Sequence, residues 1–241
     1  MPASLKKHFH LPMAGLVPWT TQDFPGRQSC VIFLQGCRWR CRYCHNTHLW
    51  SLQEKGTLDW EDVESFLKRR RGLLDAVVFS GGEPLLHPDL LLAVDRVKEL
   101  GFQVALHTAG AVPSTLGKLL PKLDWVGFDM KAPFQKYEKV TLIRGSGGVA
   151  RQSAQLLMES GVPYEFRTSL HPSLLNDADL IEITKDLKEL KAQRFYLQEV
   201  RTQGCQDVEL LASQARIQES VSSQTLEFLH QSFAHFGIRC A

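Results

Sequence analysis

The stretch Ser29-Cys30-Val31-Ile32-Phe33-Leu34-Gln35-Gly36-Cys37-Arg38-Trp39-Arg40-Cys41-Arg42-Tyr43-Cys44-His45-Asn46 joins an apolar run to a loop with three cysteines at CxxxCxxC spacing. Residues 29–35 read as a buried strand. The loop that follows is a metal-ligand pattern. A 4Fe–4S cluster has four irons and usually takes four cysteine thiolates, so three cysteines leave one iron without a protein ligand. An open position separates a reactive metal site from a closed structural one. Zinc held by Cys37, Cys41, Cys44 and His45 is the main alternative. Adjacent residues such as Cys44 and His45 seldom reach one tetrahedral ion, and no second CxxC or HxxxH pair follows. Unliganded core cysteines are a third reading.

Outward from this stretch, strand-like runs alternate with amphipathic ones. Strands are expected at 29–35, 76–80, 103–108, 125–130, 164–169 and 194–198. Helices are expected at 59–71, 88–100, 114–120, 149–160 and 177–190. Asp59 and Pro88 suit helix starts, and Gly101 and Gly161 suit stops. Such βα repeats imply a parallel sheet wound by right-handed crossovers, with helices covering it. Eight repeats close a barrel in about 250 residues. Six repeats predict the α/β class and a partial (β/α)6 barrel of parallel strands with outer helices; a flat doubly wound sheet is the alternative. Residues 207–219 and 223–236 read as helical. No composition shift or linker marks a second domain, so 1–241 is expected to be one domain, with a core at about 14–205 and a helical segment at 206–241.

The chain of 241 residues is 44% hydrophobic and 22% charged, which places it among ordinary globular proteins. Its net charge of +2 is too small to point to nucleic acid or an anionic membrane. The run Lys68-Arg69-Arg70-Arg71 reads as the solvated end of a helix. No apolar run approaches the ~18 residues needed to span a bilayer, and residues 1–10 lack a signal-peptide core. A cytoplasmic protein is expected, with reduced thiols. Cys30 reads as core, Cys205 as a loop residue without a clear role and Cys240 as incidental, so no second cluster is expected.

Parallel sheets place ligand sites at the carboxyl ends of their strands. The cysteine loop, Ser80-Gly81-Gly82-Glu83-Pro84, His107-Thr108-Ala109-Gly110, Asp129-Met130-Lys131, Arg167-Thr168 and Gln198-Glu199 all follow or end predicted strands. The glycines admit a tight turn and close approach to the backbone. Exposed carbonyls of that turn and the Glu83 carboxylate suit a ligand ammonium group. Lys131 and the planar fork of Arg167 suit a carboxylate or ribose. Tyr43 either packs beneath the loop or faces a purine. Neither His45 nor His107 is assigned a proton-transfer role.

Together these residues resemble the radical S-adenosylmethionine (SAM) superfamily: the CxxxCxxC loop with an aromatic residue before its last cysteine, then Gly-Gly-Glu-Pro one βα unit later. Asp23-Phe24-Pro25-Gly26-Arg27, Phe33-Leu34-Gln35-Gly36-Cys37 and Tyr43-Cys44-His45-Asn46 are similar to the activating enzymes of glycyl radical enzymes. Residues 125–133 and 166–169 are similar to the activators of anaerobic ribonucleoside-triphosphate reductase. The resemblance covers about 14–205. It implies a 4Fe–4S cluster on Cys37, Cys41 and Cys44, with the SAM amine and carboxylate on the open iron. It further implies SAM contacts from Tyr43, Gly81, Gly82, Glu83, Pro84, Thr108, Asp129, Lys131 and Arg167. Relatives often carry Asp-Thr-Asn-Gly where this chain has His107-Thr108-Ala109-Gly110, which leaves a monovalent cation site there unassigned.

The implied reaction is reductive cleavage of SAM to methionine and a 5′-deoxyadenosyl radical, which takes a hydrogen atom from a glycine Cα of a partner enzyme. It needs a cluster near the low end of the roughly −700 to +450 mV range and a low-potential donor such as flavodoxin or ferredoxin. Two alternatives differ in substrate or class: a radical enzyme acting on a small molecule, such as the ring contraction to a deazaguanine, and a zinc-stabilised binding module.

Overall fold

Residues 10–212 and 216–240 are described by the structure, a computed structural model. They form one eight-stranded sheet in sequence order: β1 (Met13–Thr20), β2 (Ser29–Leu34), β3 (Ala76–Gly81), β4 (Gln103–Thr108), β5 (Trp125–Asp129), β6 (Tyr164–Leu170), β7 (Arg194–Glu199) and β8 (His235–Arg239). Strands β3 to β8 each run parallel to the strand before them, and β1 is antiparallel to β2. Among the described residues β1 and β8 do not pair, so the barrel stays open. The crossovers carry α1 (Trp60–Arg70), α2 (Leu90–Glu99), α3 (Pro113–Leu119), α4 (Tyr137–Thr141), α5 (Ser146–Ser160) and α6 (Asp177–Glu189); α7 (Val208–Leu211), α8 (Ile217–Ser220) and α9 (Ser223–Ser232) lie between β7 and β8.

The six expected strands are β2 to β7. Alternation sorts their side chains. Ile32, Leu34, Val77, Phe79, Val104, Leu106, Val126, Phe128 and Phe166 join helix residues such as Leu67, Val94, Leu157 and Ile183 in the outer core. The inner face holds Val31, Ala76, Val78, Ala105 and Trp125, covered by Phe24. Phe24 stacks on Trp125 with ring centres 5.6 Å apart, so the turn after β1 plugs the inner face. The helix ends follow local chemistry. Glu61 and Asp62 lie in the first turn of α1 and Lys68, Arg69 and Arg70 in its last, each charge opposing the dipole end it meets. Asn176 and Asp179 form a reciprocal capping box on α6, and Gly161 ends α5 at φ +72°.

Three expectations change. Residues 223–236 are not one helix: α9 stops at Ser232, and 235–239 pair with β7 as a strand in which Phe236 packs beside Phe195 and His230. The segment ahead of β2, where no strand was expected, is itself a strand that runs through Pro18 beside a register break. Helix α5 begins at Ser146, before the expected 149, because Gly147 admits a close approach: a Cβ there would fall on the Phe134 carbonyl. Part of the expected 207–219 helix lies outside the described residues; the rest is the short α7 and α8. No helix of the described residues is long and apolar enough to cross a membrane.

Candidate active site

A cavity of about 400 Å³ opens at the carboxyl ends of the parallel strands. Cys37, Cys41, Tyr43, Cys44, Gly81, Gly82, Glu83, Thr108, Asp129, Lys131 and Arg167 all line it. Pro84 does not: it is buried and opens a short 3₁₀ turn at Pro84–Leu86.

The cysteine loop leaves β2 through Gly36, whose carbonyl accepts from Glu83 N at 2.9 Å. Backbone bonds from Arg40 N to the Thr141 carbonyl (3.0 Å) and from Arg42 N to the Val140 carbonyl (2.9 Å) tie its middle to the end of α4. Arg40 donates to the Cys37 and Trp39 carbonyls and lies over the Trp50 ring. All three thiols are half-buried and free. Burial, then the nearby Glu83, pushes the Cys37 thiol up to about 12. Burial pushes Cys41 up to about 11 against the pull of Lys131. These sulfurs resist ionising alone and need a cationic partner to become thiolates. Among the described residues no three His, Cys, Asp or Glu side chains are grouped to hold one metal ion. A 4Fe–4S cluster would take the three thiolates on separate irons. Tyr43 is buried between the cysteines, with its hydroxyl unpartnered among the described residues. The donor set and this orphaned polar atom in one cavity fit a cluster with a polar ligand beside it.

The Gly81-Gly82 turn lies against the start of the loop. Gly81 adopts φ +114°, and a Cβ there would sit 2.3 Å from Leu34 N; one on Gly82 would sit 2.2 Å from the Gly36 carbonyl oxygen. The missing side chains thus make room for protein backbone. Glu83, buried, accepts from the Thr108 hydroxyl (2.6 Å), Ala109 N (3.0 Å) and Leu85 N (3.1 Å). Burial raises its pKa, and these donors work the other way. The Thr108 hydroxyl in turn accepts from Gly110 N at 2.9 Å. Glu83 and Thr108 therefore stitch the turn after β3 to the one after β4.

Asp129 sits between two cations. Its carboxylate meets Lys131 Nζ at 3.0 Å and Arg167 Nη2 at 2.9 Å. Burial favours the neutral acid, but Arg167 and Lys131 outweigh it and hold Asp129 well below the usual carboxylate range. Burial likewise opposes charge on Lys131, and Asp129 more than restores it. Lys131 Nζ lies 5.4 Å from the centre of the Tyr43 ring. The Arg167 guanidinium fits over Gly127, where a Cβ would be 2.8 Å from its Cζ. His107 Nε2 donates to the Asp23 carbonyl at 2.7 Å, leaving Nδ1 to accept from Arg167 at 3.4 Å. Burial and Arg167 pull His107 down to about 4, so it is neutral near pH 7. Within this trio two cations face one carboxylate, while the cavity lining as a whole carries four acids (Asp23, Glu83, Asp129, Glu199) and four bases (Lys131, Arg167, Arg201, Arg239).

Several lining residues escaped the sequence reading. Asp23 acts through its backbone, a role composition does not mark. Arg239 and Cys240 reach the rim of the cavity because β8 is a strand. Arg239 pairs with buried Glu165, Nη2 to Oε2 at 2.8 Å, across the inner face. The alternation of β6 puts Glu165 inward beside Arg167, a signal that was readable once β6 was assigned.

The Radical SAM superfamily model matches residues 31–195. A protein of Methanocaldococcus jannaschii, named provisionally as a glycyl-radical enzyme activating enzyme, is 32% identical over 184 residues, 73% of this chain and 75% of that one. The pyruvate formate-lyase-activating enzyme of Streptococcus mutans is 30% identical over 76% of this chain and 74% of its own. The 7-carboxy-7-deazaguanine synthase of Thermococcus kodakarensis is 24% identical over 77% and 86%. Among solved structures, Streptococcus suis SuiB bound to precursor peptide SuiA superposes with a TM-score of 0.64 at 15% identity. The match covers 87% of this chain but about half (48%) of SuiB, and it speaks for the fold alone. The superfamily's cofactors are a 4Fe–4S cluster and SAM. By the match over residues 31–195, and by its likeness over about three quarters of two activating enzymes, this chain is an enzyme of the radical SAM superfamily, within the glycyl-radical-enzyme activating family.

Proposed function

We propose that this protein installs a glycyl radical on anaerobic ribonucleoside-triphosphate reductase. The observation that carries the reading is the convergence of the three-cysteine loop, the Gly81-Gly82-Glu83 turn and the Asp129–Lys131–Arg167 network on one cavity. The sequence similarity to activating enzymes and the motif at 23–27 support the glycyl class, and the stretches at 125–133 and 166–169 support the reductase as target.

Cys37, Cys41 and Cys44 would hold the cluster, which with SAM supplies one-electron cleavage of the sulfonium C–S bond and the hydrogen-abstracting radical. Lys131 and Arg167, in excess over Asp129, would bind the SAM carboxylate. The turn at Gly81–Glu83 would receive the amine, and Tyr43 the purine. Neutral His107 keeps Arg167 aimed and adds no charge of its own. Thr108 and Glu83 hold two loops at a fixed separation, so the site is organised before ligand arrives. A low-potential flavodoxin or ferredoxin is the proposed donor. Free thiols at all six cysteines suit the cytoplasm as its place of action.

The test is anaerobic reconstitution with iron and sulfide, reduction, and incubation with SAM and the reductase. A glycine-centred doublet in electron paramagnetic resonance, with methionine and 5′-deoxyadenosine, is expected. SAM cleavage without any radical on the reductase would reject the target. The deazaguanine synthase likeness favours a second reading, action on a small molecule; turnover of a small heterocycle by the same preparation would select it.

A further inference from the structure

We infer that the segment from Gly204 to Glu209, between β7 and α7, is a clasp on the cysteine loop, and that Gly204 and Asp207 are positioning residues for the Cys44 half of that loop. This goes beyond the proposed target and rests only on the cysteines being cluster ligands.

The loop has two halves with different supports. Its first half, and the junction at Arg42, are tied to α4 by the backbone bonds of Arg40 and Arg42. Its second half, from Arg42 to Thr47, contains Cys44 and is gripped from more than 150 residues away. Arg42 spreads its guanidinium over two acids, Nε to Asp207 at 2.6 Å and Nη2 to Glu209 at 2.6 Å. The Cys205 thiol donates to the Arg42 carbonyl at 3.1 Å. The Thr47 hydroxyl donates to the Gly204 carbonyl at 3.3 Å and accepts from the Gln206 amide at 3.2 Å. Gly204 itself adopts φ +84°, and a Cβ there would sit 2.3 Å from the His45 carbonyl oxygen. Only glycine allows that approach.

These contacts bracket Cys44 on both sides, at Arg42 and at His45–Thr47. The side chains of Arg42 and Asp207 are each about one-fifth exposed, so the pair is shielded enough to hold geometry. Glu209, mostly exposed, adds less. Asp207 is fixed in turn by accepting from Glu209 N and Leu210 N at the start of α7. The clasp therefore acts as outer support for a metal ligand, one contact beyond the groups bonded directly to a ligand, whose loss typically costs ~10–100-fold in metal affinity.

The test uses the full chain as wild type, Gly204→Ala, Asp207→Ala and Asp207→Glu. Hydrogen exchange of the metal-free proteins is read over residues 42–47 and, as an internal control, over β4. After anaerobic reconstitution, iron loss to a ferrous chelator is followed by absorbance. Expected are faster exchange at 42–47 in Gly204→Ala and Asp207→Ala with β4 unchanged, iron loss faster by about tenfold, and recovery of most retention in Asp207→Glu. Should Gly204→Ala fail to fold, the Asp207 pair carries the test. Wild type that loads iron beside an Asp207→Ala variant with unchanged retention overturns the clasp. Faster exchange with unchanged iron loss overturns the ligand-positioning role. Wild type that takes up no iron brings down the cluster assignment, and the positioning role with it.

Discussion

One missing carbon sets the geometry of the charged network. Gly127 leaves room for Arg167, and a methyl there would lie 2.8 Å from both the guanidinium carbon and the Trp125 ring. Gly127→Ala is expected to push Arg167 off Asp129, weaken SAM binding about tenfold and cost ~1–3 kcal/mol of stability as an overpacking change; calorimetric titration of the reconstituted enzyme and urea unfolding measure the two. His107 supplies a pH signature. Its folded pKa of about 4 lies below the ordinary value of 6.5, so the unfolded chain takes up a proton first as pH falls. Stability is thus lost between about 6.5 and about 4, by roughly 3 kcal/mol at full extent. His107→Gln, which keeps the donor to Asp23, is expected to flatten that part of the urea-unfolding profile. At this scale the cysteines, Gly81, Gly82, Asp129, Lys131 and Arg167 were readable from sequence, because each sits at a strand end. Their couplings were not. Nothing in the chain order says that one carboxylate serves two cations, or that Thr108 is spent on Glu83.

Strands β2 to β7 were legible to within a residue or two because each carries either a mostly apolar run, as in β2, β3 and β5, or apolar residues alternating with polar ones, as in β6. The outer strands were not. Proline in β1 and glycine in β8 lower strand propensity, and both strands exist because a neighbour's edge offers hydrogen bonds. Helix starts depend on finer chemistry. The reciprocal bonds of Asn176 and Asp179, both 3.1 Å, begin α6 after the long turn that follows β6. Asn176→Ala is expected to cost about 1 kcal/mol in urea unfolding and to leave SAM binding unchanged, since α6 covers the sheet's outer face.

In the molecule as a whole, the cysteine loop rests on the outer core: Trp39 and Tyr43 are buried in it and Cys37 and Cys41 pack at its margin. Most of that core, Ile32, Phe79, Leu106, Phe128 and Phe166 among it, lies between sheet and helices and does not depend on one thiol. Cys41→Ala is therefore expected to keep the melting temperature of the metal-free protein within a few degrees while iron binding collapses; circular dichroism and iron analysis read the two effects. The sequence announced that one mouth would gather the motifs, because parallel strands deliver their ends to one side. It did not announce the long-range grip of residues 204–209 on residues 42–47, which no local pattern encodes.

The unclosed sheet also has a bearing on how the protein behaves in concentrated solution. Unpaired outer strands invite other copies to stack on, backbone to backbone, into insoluble material. Strand β1 carries Pro18, which offers no N–H, beside a slip in pairing that twists the strand. That rim is a poor template for self-assembly. Pro18→Val would restore the missing donor, and light scattering is expected to show the variant precipitating at concentrations the parent tolerates.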